Sequence, residues 1–458
     1  MTEGDSMISG TRIRTAVVVV LCVCVINIGV SLADDQDRRK IVMFLDGTPV
    51  DVQKSIVSLT GSKLIHVLSL VNALAIELPL GPLDPVLSLL LSNPAVLGIF
   101  DDVIGTLELL DPIQVLNTAP PEGFDWGLRH ISAPEAQQEK GGTQGTGVTV
   151  AVLDTGIDLD HPELGPRIAA GYNAMRGGGS FDDNHGHGTH ISGIIAAALN
   201  QHGTIGAAPQ AKLVAVKVLD QNARGYLSDL LNGLQWVQKK GFRLVNMSIG
   251  YAVGTPPLEK AIARLYHKGV IMVAAAGNRS PDSASEQDGG GSDDGGGDEG
   301  EGVSPTCDPS DQDGGGSDDG GGDEGEGGTT SCTALQTGIR YPARYGEVLA
   351  VAATDVNDRI AGYSLSGPEV DLAAPGGEQG GERILSTARG GGYGLGSGTS
   401  QAAAHVTGAI ALALQRRPTL TPEEARDLLR QTAWDLDYPE TQQGGGLIDV
   451  QRLIKSLQ

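Results

Sequence analysis

"VTVAVLDTG" (residues 148–156) sets an unbroken apolar run against an acid and a glycine. A run of this kind suits a strand buried on both faces. Four other stretches have the same character: "KLVAVKVLD" (212–220), "FRLVNMSIG" (242–250), "VIMVAAAGN" (270–278) and "VLAVAATD" (348–355). Between them, "HISGIIAAALN" (190–200), "LSDLLNGLQWVQKKG" (227–241) and "PPLEKAIARLYHKG" (256–269) carry helical periodicity. Strands alternating with helices predict an α/β domain, with a parallel sheet sandwiched by helices. In such sheets chemistry gathers beyond the carboxyl ends of the strands. Asp154, Ser248 and Asn278 stand at that edge.

The chain of 458 residues is too long for one ordinary core. Before the α/β text, residues 38–111 read as a separate module. "KIVMFLDG" is strand-like and "VDVQKSIVSLTG" helical, "LIHVLSLVNALAIELP" alternates, "DPVLSLLLSNPAV" is helical, and "GIFDDVIGTLE" closes with a strand. The order βαββαβ predicts a small α+β, ferredoxin-like domain. At the N-terminus, Arg12 and Arg14 precede "TAVVVVLCVCVI" (15–26), and "SLA" (31–33) offers a cleavage point. Residues 1–33 therefore read as a signal peptide of a secreted protein. The alternative is an uncleaved membrane anchor.

The net charge is −24, and residues 280–338 hold sixteen Asp and Glu without a Lys or Arg. Such acidity excludes nucleic acid as a partner, because phosphate binding needs clustered cations. That segment contains "QDGGGSDDGGGDEGEG" twice, at 287–302 and 312–327. Low hydrophobicity and high charge predict a disordered insert there. Once the leader is removed, Cys307 and Cys332 remain. They fit one disulfide of an exported protein, or two free thiols.

Three stretches offer chemistry. Asp154 ends an apolar run, where an acid needs a partner. "DNHGHGTHISGIIAA" (183–197) packs His185, His187 and His190 among glycines, which reads as a metal tract or as a glycine-rich helix start. "GLGSGTSQAAAHVTGAIALAL" (394–414) places Ser400 at the start of a small-residue helix, where a serine alone reads as a cap.

Asp, His and Ser in that chain order match the subtilisin arrangement. "DTGID" at Asp154, "HGTHISG" at His187, "GTSQAAAHV" at Ser400 and "AAAGN" at Asn278 resemble the signatures of subtilisin-like serine proteases, the subtilases. "NMSIG" (246–250) and "APQAKLVAVKVLD" (208–220) are similar to that family's linking text. The resemblance implies a secreted serine endopeptidase acting on polypeptides as a monomer, without a catalytic cofactor. It gives Ser400 as nucleophile, His187 as general base, Asp154 as its orienting acid and Asn278 as oxyanion donor. Residues 34–115 then resemble an inhibitory propeptide, acting as an intramolecular partner and cut off between Leu110 and Pro121, with 116–458 as catalytic domain.

The pocket for the residue preceding the cut, S1, would be walled by Ser248, Ile249, Gly250, Ala275, Ala276 and Gly277, with Arg340 near its base. Arg340 and Arg279 together would favour an acidic side chain in that pocket; the alternative is that both face solvent or the acidic insert. The resemblance leaves open a structural Ca²⁺ at Glu163 and Asn200, although the loop 199–206 reads one residue short of the family's calcium loop. Gln401 and Ala404 depart from the family's usual Met and Pro; neither change removes a catalytic atom. The rival reading is a non-catalytic scaffold that presents the acidic repeat for calcium binding or surface interaction.

Overall fold

A computed structural model describes residues 38–108, 110–139, 142–279 and 338–457. The expected leader, Cys307, Cys332 and the repeats lie outside the described residues. Among the described residues, no helix is long and apolar enough to cross a membrane.

The N-terminal module runs β1 (Arg39–Phe44), α1 (Val50–Ser58), β2 (Lys63–Leu68), β3 (Ala73–Glu77), α2 (Asp84–Leu91) and β4 (Val96–Asp101). Its antiparallel sheet has the order β2-β3-β1-β4, which places the first and third strands at the centre, as the βαββαβ reading requires. Val42, Phe44, Leu74 and Ile76 on one sheet face form a small core with Val57 and Leu90 of the two helices. The residues between them, Ile41, Met43, Ala73 and Ala75, belong to a different core, that of the larger domain. A strand's period of two thus serves the module with one face and a docking surface with the other.

The chain continues through β5 (Ile104–Thr106), β6 (Gln114–Val115), α3 (Trp126–His130) and α4 (Ala133–Gln138) into the sheet strand β7 (Thr149–Asp154). Then follow β8 (Ile168–Asn173), α5 (His187–Ala196), β9 (Lys212–Lys217), β10 (Arg224–Tyr226), α6 (Leu227–Lys240), β11 (Leu244–Met247), α7 (Pro256–His267) and β12 (Ile271–Ala275). Past the insert come β13 (Leu349–Thr354), β14 (Val370–Pro375), β15 (Ile384–Ala388), β16 (Gly392–Gly396), α8 (Thr399–Arg416), α9 (Pro422–Thr432), α10 (Glu440–Gln443) and α11 (Val450–Ser456). Among the described residues, seven strands form one parallel sheet in the order β14-β13-β12-β11-β7-β9-β8.

Strand β7 shows why its apolar run is continuous. Val150 and Val152 face a core shared with Ala402, Ala403 and Val406 of α8, while Ala151 and Leu153 face a core shared with Leu230 and Leu234 of α6 and Leu258 and Ile262 of α7. Both faces are covered, so alternation disappears. Helix α8 is buried from Thr399 through Leu414, with its polar His405 and Thr407 hydrogen-bonded to Gln401 O and Asn246 Oδ1. Its small residues permit that: a Cβ on Gly408 would lie 2.4 Å from Ala207 Cβ.

The N-terminal module docks on α6 and α7 through polar contacts around that apolar face. Asp102 accepts from Ser228 N at 2.7 Å and pairs with Arg39 at 2.9 Å, so a carboxyl group caps the start of α6. His66 Nε2 meets Asp229 at 2.8 Å, and Lys260 of α7 pairs with Asp46 at 2.8 Å.

Asp125 caps α3, accepting from Gly127 N at 2.8 Å, and also accepts from Leu385 N at 2.9 Å. Burial raises its pKa from 3.8 to about 6, against the pull of those backbone donors. Between these two values the folded chain holds a proton that the unfolded chain has released. Its stabilising contribution is therefore complete below 3.8 and is lost as pH rises through about 6. Asp125→Asn should flatten the change in Tm between pH 4 and 7 measured in parallel with the parent; an unchanged slope would refute this.

Candidate active site

Asp154 ends β7, fully buried. Both of its carboxylate oxygens lie 2.9 Å from His187 Nδ1, and Thr155 N donates to Oδ1 at 2.7 Å. His187 opens α5. The glycines around it have steric causes. Gly186 has φ +114°, and a Cβ on Gly188 would lie 2.1 Å from Gly156 O and 3.1 Å from Asp154 Cβ. Only glycine at 188 lets the helix approach the strand end closely enough for the pair to form.

Asp183, which the sequence reading passed over, holds this turn. It accepts from Thr155 Oγ1 at 2.9 Å, Gly186 N at 2.8 Å, Thr189 N at 3.0 Å and Thr189 Oγ1 at 2.6 Å. Burial pushes its pKa up, but the bonds from Thr189, Gly186 and His185 outweigh that and keep it below the ordinary value. The signal was present as an Asp three residues before the glycine that precedes the helix, an Asx-turn pattern.

The three histidines do not converge. His190 is buried with Nε2 against Gly394 O at 3.2 Å, and burial drives its pKa down to about 3. It is therefore neutral. His185 is also lowered, chiefly by burial. Among the described residues, no three His, Cys, Asp or Glu side chains gather as a metal-binding group. The metal-tract alternative thus gives way to the helix start.

Ser400 is the second residue of α8, after Gly398 at φ +151°. Its N–H lies in the first turn, where amides have no intrahelical acceptor. Among the described residues Ser400 Oγ makes no hydrogen bond. Asn278 follows β12 and faces the same turn. Its Oδ1 accepts from Thr399 N at 3.0 Å and Thr399 Oγ1 at 2.8 Å. With Oδ1 so engaged, Nδ2 must point the other way, and there it donates to the carbonyl of Glu108 at 2.6 Å. Thr399 and Glu108 were both missed from sequence.

Glu108 reaches this place as the continuation of β5. Thr106 and Gly250 exchange backbone hydrogen bonds at 3.1 and 3.0 Å in an antiparallel bridge. Two residues on, the Glu108 carboxylate accepts from Asn278 N at 2.6 Å and pairs with Arg340 Nε. Of the residues expected to wall this pocket, Gly250, Gly277 and Arg340 surround the carboxylate. Ala276 O accepts from Arg340 N at 2.8 Å and so places that side chain. Ser248, Ile249 and Ala275 lie buried; Ser248 Oγ accepts from Asn246 Nδ2 at 3.1 Å, and Ile249 packs into the core. Arg279 is exposed and bonds through its backbone to Tyr363 O at 2.7 Å, so one arginine rather than two meets the acid.

Glu163 and Asn200 do come together, at 3.0 Å, but the amide nitrogen donates to the carboxylate. The other carboxylate oxygen accepts from Tyr393 OH at 2.6 Å, and burial raises the Glu163 pKa. Glu122, another acid of this region, is engaged by Asn200 N at 2.6 Å. Ca²⁺ needs about six to eight oxygens. In this arrangement a hydroxyl and an amide already engage the Glu163 carboxylate, so Glu163 and Asn200 stand as a hydrogen-bonded pair.

Residues 145–447 match the model of the subtilase family. A thermostable alkaline protease of Halalkalibacterium halodurans is 34% identical over 352 residues, which cover 77% of this chain and 78% of the relative. Alkaline elastase YaB of Bacillus sp. strain YaB is 32% identical over 388 residues, 85% of this chain and 81% of the relative. Subtilisin BL of Lederbergia lenta is 34% identical over 330 residues, 72% of this chain and 98% of the relative. A match of this reach, on a parallel sheet with the polar residues at its carboxyl edge, places the chain in the subtilase family as a serine endopeptidase.

Proposed function

We propose that Ser400, His187 and Asp154 perform the hydrolysis and that Asn278 stabilises its oxyanion. The supporting observation is that Asn278 Nδ2 contacts a backbone carbonyl, that of Glu108, at 2.6 Å. Ser400 Oγ attacks the carbonyl carbon as His187 Nε2 takes its proton. This step requires the two to come within hydrogen-bond reach. Asp154, held at Nδ1, fixes the tautomer and stabilises the imidazolium. Charge developing on the carbonyl oxygen is met by Asn278 Nδ2 and the Ser400 N–H. The imidazolium then protonates the departing amine. Water, deprotonated by the same histidine, releases the acyl group as a carboxylic acid and restores the serine.

The chain is on this reading exported and made as a zymogen. The N-terminal module is its own inhibitor; what supports this is that residues 104–108 lie against Gly250 and Asn278. Membership in a protease family does not favour the rival binding-scaffold reading.

A fluorophosphonate should add one phosphonyl group to the mature protein, at Ser400; an unlabelled protein would refute the assignment. Asn278→Ala should lower kcat by about a hundred- to a thousandfold, the loss found for an oxyanion donor in subtilisin itself, with little change in KM. An effect below about threefold would remove Asn278 from the oxyanion role.

A further inference from the structure

The path of the chain around Glu108 carries more than the position of an inhibitor. Its carbonyl lies on Asn278 Nδ2, where a carbonyl under attack belongs. Upstream, Thr106 is bridged to Gly250. Downstream, Asp111 pairs with Arg383 at 2.6 Å, β6 pairs with β16, and Leu116 N donates to Tyr393 O at 2.8 Å. The larger domain therefore holds the chain on both sides of Glu108.

The side chain of Glu108 enters a pocket whose polar groups match a carboxylate. Arg340 Nε meets one oxygen and Asn278 N the other, at 2.6 Å. Both side chains of the ion pair are only 21% exposed. The glycine walls make room for it. A Cβ on Gly277 would lie 2.6 Å from Arg340 Cγ and 2.9 Å from Glu108 Oε2, and one on Gly250 would lie 3.2 Å from Arg340 Cγ.

We propose that this enzyme selects glutamate at the residue preceding the cut, with Arg340 as the selecting residue, and that it matures by cutting itself on the carboxyl side of Glu108. The proposal rests on the endopeptidase reading above and deepens it. An apolar residue in this pocket withdraws the acceptor from the Asn278 N–H and the Arg340 Nε and offers nothing in return. Sites built to hydrogen-bond a substrate group discriminate strongly against analogues that lack it, because their own polar groups lose a partner. Aspartate is one methylene shorter and does not span to both donors. The end of the inhibitory segment moves accordingly, from the expected interval 110–121 to Glu108.

The test uses four peptides differing only at that residue, Glu, Asp, Gln and Leu, with fluorophosphonate labelling of Ser400 as an independent readout. Glu should exceed Leu in kcat/KM by on the order of a hundredfold, as charge-assisted hydrogen bonds predict. Arg340→Leu should erase that ratio while labelling persists, and Arg340→Lys should restore part of it. Arg340→Leu would also handicap maturation at Glu108, so it is made together with Glu108→Leu, which should mature. Equal or better cleavage after Leu by a labelled wild-type enzyme would overturn the proposal alone. Loss of both cleavage and labelling in the wild type would overturn the endopeptidase reading and the proposal with it.

Discussion

Ser400→Ala is expected to lower kcat by about a millionfold, the loss that subtilisin shows for its own serine. The same variant should accumulate as a precursor of undiminished mass apart from its leader. The substitution is sterically mild. Ser400 lies in the first turn of a helix followed by Ala402, Ala403 and Ala404, and alanine is the best helix former. Thr399 and Asn278, which organise the turn, are untouched. The defect should therefore be chemical, with Tm within a few degrees of the parent. Normal maturation of this variant would mean that another protease makes the cut. A kcat within tenfold of the parent would remove Ser400 from the reaction.

Asp154→Asn is expected to cost about ten-thousandfold in kcat, as it does for the equivalent acid in serine proteases that share this arrangement. The reason is visible in the contacts. Both Asp154 oxygens face His187 Nδ1, and Thr155 N already donates to Oδ1. An asparagine satisfies that backbone donor with its one oxygen and turns its NH₂ toward the imidazole. Nδ1 must then accept, Nε2 carries the proton, and the ring is no longer able to take one from serine. Substrate contacts are unaffected, so KM should hold while kcat falls. A loss of less than about tenfold would show that His187 needs no orienting acid.

Most of the central sheet could be read from sequence because its strands are covered on both sides. Strands β7, β9, β11, β12 and β13 give continuous apolar runs. The two edge strands do not. In β8 the residues are only partly covered, and "IAAGYN" lacks a run. In β14 the buried Asp371 breaks the pattern, and it is tolerated because Arg426 pairs with it at 2.8 Å and Ala350 N donates at 3.0 Å. No local rule signals a carboxylate whose partner lies 55 residues away.

The site divides in the same way. Asp154, His187, Asn278 and Ser400 each stand at an element boundary set by nearby glycines and apolar runs, so their text is local and legible. Glu108 is not. Its meaning comes from Asn278, 170 positions on, and Arg340, 232 positions on. Arg279 was overvalued because it adjoins Asn278 in sequence; successive residues in extended chain point apart, and its side chain faces solvent. Glu163 and Asn200 read as candidate calcium ligands; residue type alone did not show that a tyrosine hydroxyl and an amide would engage the acid.

The most direct measurement is N-terminal sequencing and intact mass of the mature protein, taken beside the Ser400→Ala variant. The mature chain should begin at Leu109, immediately after Glu108, and the variant should lack that terminus. A mature chain beginning at another position, or the same terminus in both proteins, would contradict self-cleavage after Glu108.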